Sequence, residues 1–162
     1  MQNINNKLLE TLKKKNFYQD KKAKSLSFFC KEKIKSNFLD KSLIDIMKKI
    51  SLKYKIDLRL NLHSSPKDNH HDMIILQRKN YKCETHQHTS NGETIHIIEG
   101  SLDVVLYDKK KKLISKTSLS KNKNIIYRIP IKCYHKIEIT SPYAIYHENK
   151  KGPFVRSQTI LY

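Results

Sequence analysis

Two histidines one residue apart, His86 and His88, open the stretch His86-Gln87-His88-Thr89-Ser90-Asn91-Gly92-Glu93. On a strand, side chains at i and i+2 point to the same side, so both imidazoles can face one metal ion. Ser90-Asn91-Gly92 is a turn signal. Glu93 then begins the returning strand and can reach the same ion. A further ligand from a distant strand would complete the set. His135 is the best candidate: it follows Pro130 and shares its strand face with the apolar Ile137 and Ile139. Three imidazoles and one carboxylate suit one divalent transition metal (Fe, Mn, Zn, Ni or Cu) better than Ca or Mg. On a five- or six-coordinate ion they leave open positions for substrate or water. On tetrahedral zinc the same four would close the site.

The elements that must position these residues are mostly short strands. From residue 56 the period is two: Ile56, Leu58, Leu60 and Leu62 alternate with Asp57, Arg59, Asn61 and His63. Strand-like runs follow at 73–77, 84–88, 93–99, 102–107, 112–117, 125–129, 135–139 and 143–148. Gly100-Ser101, Asp108 with four lysines, and Ser141-Pro142 read as turns between them. Many short strands at close spacing predict a sandwich or a small closed barrel. Residues 1–55 read as an N-terminal extension to a barrel over 56–162. Within it, residues 6–15 place Leu8, Leu9 and Leu12 on one helical face, with Asn5 or Asn6 as a cap. Residues 42–53 place Leu43, Ile44, Met47 and Ile50 on another, and Ser42 with Asp45 has capping-box spacing. SLSFF at 25–29 reads as an edge strand.

Composition bounds the function classes. The chain has 162 residues and a formal charge of +18, nearly all of it from lysine scattered along the sequence. No stripe of Arg and aromatic residues marks a base-reading surface, so no nucleic-acid partner is expected. A small carbohydrate or anionic ligand is a better match for such a field. No apolar run approaches the roughly 18 residues of a membrane span, and the first residues lack a signal-peptide core, so the expected location is the cytoplasm. Cys30, Cys83 and Cys133 are odd in number and lack CxxC spacing. They read as reduced, mostly buried thiols.

Arg59 and His63 share the polar face of their strand. If that face lines the barrel mouth, Arg59 can hold an anionic group through a fork of hydrogen bonds. His63 can then serve as acid or base near neutral pH. If the face is simply solvated, neither is catalytic. His96 alternates out of phase with Glu93 and points away from the metal. One of His147 and Glu148 must point inward. Gly152-Pro153-Phe154 reads as a turn and a hydrophobic plug.

His86-x-His88-x4-Glu93-x6-Gly100 resembles the first cupin motif, and Pro130-Ile131-Lys132-Cys133-Tyr134-His135 resembles the second. Lys132 stands where the second motif has glycine. More narrowly, the chain looks like the WbuC family of cupin-fold metalloproteins. The matching words are Arg59-Leu-Asn-Leu-His63, His71-Asp72-Met73, Tyr127-Arg128-Ile129, His147-Glu148 and Gly152-Pro153-Phe154. The resemblance implies a cupin-type antiparallel β-barrel (a jelly roll) with short N-terminal helices, and a homodimer. It implies association with bacterial surface polysaccharide such as O-antigen, through a sugar or nucleotide-sugar intermediate. A metal-dependent isomerase or epimerase, a non-catalytic binding module with a structural metal, and an Fe(II) oxygenase all remain open, because fold does not fix chemistry.

Overall fold

The computed structural model describes residues 6–23, 25–31 and 40–162. Helix α1 spans Asn6–Lys14 and is followed by β1 (Phe17–Asp20) and β2 (Leu26–Cys30). Helix α2 spans Lys41–Tyr54. Then come β3 (Leu58–Asn61), β4 (His70–Arg78), β5 (His86–His88), β6 (Glu93–Tyr107), β7 (Leu113–Ser120), β8 (Ile126–Ile129), β9 (Tyr134–Lys151) and β10 (Thr159–Leu161). All pairings are antiparallel except β2 with β3. The fold is a jelly-roll barrel built on two long strands, β6 and β9, which pair with each other along their length.

Each of these two strands turns a corner and serves both walls. In one wall, β1-β2-β3-β4 joins the late half of β9, and β8 flanks the start of β6. In the other, β7 flanks the end of β6, and β5 and β10 flank the start of β9. The expected turns at Gly100-Ser101 and Ser141-Pro142 are therefore corners inside continuous strands. The register shifts there, between Ile97 and Glu99 and between Gly100 and Leu102. The Ser101 amide donates to Ser141 Oγ at 2.8 Å, tying the two corners together. Gly100 has φ +81, and a Cβ on it would lie 2.2 Å from the Tyr143 carbonyl oxygen. Only glycine fits that corner.

Alternation sorts side chains between two cores. Met73, Ile75, Ile95, Ile97, Leu102, Val104, Ile137 and Tyr146 fill the barrel. Leu58, Leu60, Ile74, Leu76 and Ile145 face outward, into a second core with Phe28, Leu43, Met47 and Ile50. The apolar face of β3 thus meets α2, and its polar face turns toward the barrel. SLSFF forms β2 as expected, but lies inside the sheet, between β1 and β3. Leu12 of α1 is buried in the outer core. Asn5 and the side chains of Leu8 and Leu9 lie outside the described residues. The α2 cap is Asp40, not Ser42: its carboxylate accepts from the Leu43 amide at 2.8 Å and from Ser42 Oγ at 2.6 Å. No described helix is long and apolar enough to cross a membrane.

Candidate metal centre

Strand β5 is held from both sides, and this sets its two histidines. On one side His86 lies opposite His135 of β9. On the other, β10 pairs with it, placing Thr159 against His88 and Leu161 against His86. Glu93 begins β6 opposite Lys150 of β9, and like Ile95 and Ile97 it points into the barrel. His135 shares its inward face with Ile137 and Ile139. One ligand atom from each of His86, His88, Glu93 and His135 lies within 4.8 Å of every other. Among the described residues no other group of three or more His, Cys, Asp or Glu is that close.

The donor atoms converge on a point instead of bonding to each other. His88 Nε2 is 2.6 Å from Glu93 Oε1, and His135 Nε2 is 3.3 Å from Glu93 Oε2. Yet both Nε2 atoms are buried without an aligned hydrogen-bond partner. A buried polar atom left this way calls for an explanation, and an ion at the convergence point supplies one. The other ring nitrogens are engaged. His86 Nδ1 donates to the Glu84 carbonyl at 2.9 Å and His135 Nδ1 to the Cys133 carbonyl at 3.0 Å. A carbonyl can only accept, so both rings carry their proton on Nδ1 and leave Nε2 free to ligate. His88 Nδ1 meets Thr159 Oγ1 at 3.2 Å.

Lys132, at the glycine position of the second motif, has φ +57. The loop therefore keeps its left-handed turn with lysine in place. The Lys132 amide donates to the His88 carbonyl at 2.7 Å, fastening the loop that carries His135 to the strand that carries His88.

A lysine completes the site electrically. Lys150 Nζ lies 2.8 Å from Glu93 Oε1 and 3.1 Å from Glu148 Oε1. Burial opposes ionisation of Glu93, but Lys150, His135 and His88 outweigh it and hold the carboxyl well below its ordinary range. Burial likewise works against the Lys150 ammonium, and Glu148 and Glu93 more than restore it. Burial, followed by His135, pulls His86 down. His135 is also penalised by burial, but the adjacent Glu93 raises it overall. Sequence reasoning missed Lys150. The available signal was alternation: Tyr146, Glu148 and Lys150 share one face of β9, while His147 faces out and pairs with Asp72 at 3.0 Å.

The two residues expected to be catalytic fall in different places. Arg59 lies opposite Ile75, on the barrel side of β3, and its buried Nε has no partner. It is close enough to Lys150, Tyr81 and Tyr146 to influence their ionisation. His63 lies beyond the end of β3 and outside the four-residue cluster. Its ring stacks on His71 at 4.2 Å between centroids, and Nδ1 meets the Asp72 backbone. His71, buried, lines a cavity of ≈ 20 Å³ shared with His88, Lys150 and Thr159. His96 is exposed and faces away, Phe154 is 54% exposed instead of plugged, and Tyr134 packs at a tilt against Tyr162. Of the free cysteines only Cys30 is fully buried.

A family model described as "Domain of unknown function (DUF6016)" matches residues 53–119. No curated protein matches the chain. Among solved structures, the capsular polysaccharide assembling protein CapF from Staphylococcus aureus superposes with a TM-score of 0.55 at 14% identity, over 63% of this chain and 29% of its own. CapF with the inhibitor 3-isopropenyl-tropolone gives 0.54 at 15%, over 64% and 30%. Oxalate decarboxylase from Lactobacillus farciminis gives 0.47 at 18%, over 58% and 27%. The chain thus spans under a third of the length of these proteins. At such identities the likeness is one of fold. The chain is a cupin-fold protein whose His86, His88, Glu93 and His135 form a cluster that could hold a metal ion.

Proposed function

We propose that this protein is a WbuC-like metal-binding cupin that binds or transforms a sugar or nucleotide-sugar intermediate of surface polysaccharide biosynthesis, as a cytoplasmic homodimer. The observation that carries the metal reading is the set of buried, unpartnered Nε2 atoms on His88 and His135 converging on Glu93. The polysaccharide reading rests on the sequence resemblance. The name of CapF, a capsular polysaccharide assembling protein, points the same way.

A divalent ion at this cluster would supply Lewis-acid polarisation of a carbonyl or hydroxyl oxygen. The chain's own residues do the remainder. Lys150 keeps Glu93 ionised. Arg59, with a free Nε, binds an anionic group of the ligand. His63 lies outside the cluster and stacks face to face on His71, an arrangement with no hydrogen bond between the rings along which a proton could pass.

A second reading, a binding module with a structural metal, is favoured by how closed the site is. Glu93 and His135 are buried, and the cavity that reaches His88 has room for about one water. Two measurements separate these readings. Metal analysis of untagged protein is expected to give one ion per chain, lost in His86→Ala/His88→Ala. Absence of metal in both, even after reconstitution, would remove the metal centre. A nucleotide-sugar panel then decides the class. Turnover supports the enzyme, whereas tight binding without turnover supports the module.

A further inference from the structure

The β6–β7 hairpin carries a surface that the metal centre does not use. Residues 109–114, Lys109-Lys110-Lys111-Lys112-Leu113-Ile114, are exposed without interruption. Four ammonium groups are therefore followed directly by two aliphatic side chains, Leu113 and Ile114, that are 54% and 58% exposed. The hairpin is not a loose tail. Asp108 Oδ1 accepts from the Lys110 and Lys112 amides at 2.8 and 2.9 Å, and the Asp108 amide donates to the Lys112 carbonyl at 2.9 Å. That leaves the turn's one carboxylate engaged with its own backbone. At the base, Tyr162 packs against Tyr134 and Tyr107, and Lys111 Nζ sits 4.6 Å over the Tyr162 ring.

We propose that this hairpin docks the protein on an anionic lipid bilayer, with the lysines on the headgroup phosphates and Leu113 and Ile114 in the upper acyl region. Charge complementarity argues for the lysines: each Lys near an anionic membrane surface contributes about fivefold in partitioning. The neighbouring aliphatic pair argues for lipid over nucleic acid. A bilayer offers apolar depth beside its phosphates, and a nucleic-acid backbone does not. The residues also lack the bidentate arginines and open aromatic faces that read bases, since the tyrosine rings pack on one another. The proposal stands apart from the metal centre and survives its failure.

Co-flotation of the full chain with vesicles of phosphatidylcholine, with and without phosphatidylglycerol, tests it at about 0.15 M salt, where charges interact over about 8 Å. Binding is expected only to vesicles containing phosphatidylglycerol. Lys109→Ala/Lys110→Ala/Lys112→Ala should weaken it roughly 100-fold, at about fivefold per lysine. Leu113→Ser/Ile114→Ser should abolish the portion that persists in high salt. Lys121→Ala/Lys123→Ala, in the β7–β8 turn, should leave binding unchanged. Equal loss from the Lys121/Lys123 variant would overturn the proposal, because any lysine would then serve. So would duplex DNA that competes fully and loses affinity in the same hairpin variant. A Leu113/Ile114 variant that dissociates a dimer without changing vesicle binding would also overturn it, by assigning the apolar pair to a second copy of the chain.

Discussion

Replacing Lys150 with methionine should destabilise the metal-free protein and tighten its hold on metal. The ammonium bridges Glu93 and Glu148, and all three side chains are at most 16% exposed. Removing one partner of a buried ion pair costs about 3–5 kcal/mol, because the charge left behind is unpaired. Methionine keeps the volume, so little of that loss is cavity. In a domain of this size each kcal/mol moves the midpoint by about 2–4 °C, giving a fall of roughly 6–20 °C in the presence of chelator. A divalent ion bound by Glu93 brings back the missing positive charge, so much of the penalty disappears on binding. The thermodynamic cycle then requires tighter binding. If about 2 kcal/mol is recovered, the Kd for zinc falls about 30-fold. Urea melts in EDTA give the first quantity, and competition against a fluorescent chelator gives the second. If Lys150→Met bound zinc more weakly than the parent, Lys150 would be orienting Glu93 and not competing for it, and the charge argument would be wrong.

Three further outcomes follow from the geometry. Gly100→Ala should cost at least about 3 kcal/mol, read as a lower urea midpoint or loss of soluble protein, since its Cβ would meet the Tyr143 carbonyl oxygen at 2.2 Å. Lys132→Gly should leave the melting temperature unchanged or raise it, whereas Lys132→Val should lower stability by about 1–3 kcal/mol, because φ is +57 there. The metal-free protein should lose stability in acid through His63 and His71. Burial is the main cause of the low pKa of each, with help from His71 at His63 and from Lys150 at His71; Asp68 opposes at both rings and Asp72 at His63. A folded pKa below the unfolded value near 6.5 means that the unfolded chain takes up protons first as pH falls. This stability is present above about pH 6.5 and is lost below it, so urea melts across that range should show a decline that is shallower in His71→Asn.

Local rules carried the barrel a long way and failed at its corners. Period-two alternation located most of the strands from β3 onward, because each buries one face. It did not show that Gly100-Ser101 and Ser141-Pro142 lie within strands. Both are turn words by composition, and only the pairing of β6 with β9 makes them corners. Alternation also could not say which core a strand face meets. Leu58 and Leu60 look like barrel residues but pack under α2, because β3 is covered by a helix. β10 was not foreseen: a three-residue strand carries too little pattern, and its place against β5 is a tertiary matter.

The metal cluster was more legible than the charge that accompanies it, for a physical reason. His86 and His88 sit two apart on β5, so strand alternation fixes their common side. Glu93 follows close in sequence, but β6 does not return along β5 as the turn signal suggested: β5 lies between β9 and β10, and β6 pairs with β9. Lys150 is far away in sequence and reaches Glu93 only because β9 crosses beside β6. Yet it decides how the site behaves without metal. Without it, the buried carboxylates of Glu93 and Glu148 would face one another with no fixed cation between them. A divalent ion on Glu93 would then supply the neutralising charge, which is why removal of the lysine is expected to tighten metal binding. Lys150 holds Glu93 ionised, while backbone carbonyls take the Nδ1 protons of His86 and His135 and leave their Nε2 atoms free to ligate. The lysine therefore competes with the ion for one ligand, while backbone carbonyls keep two of the others ready for it.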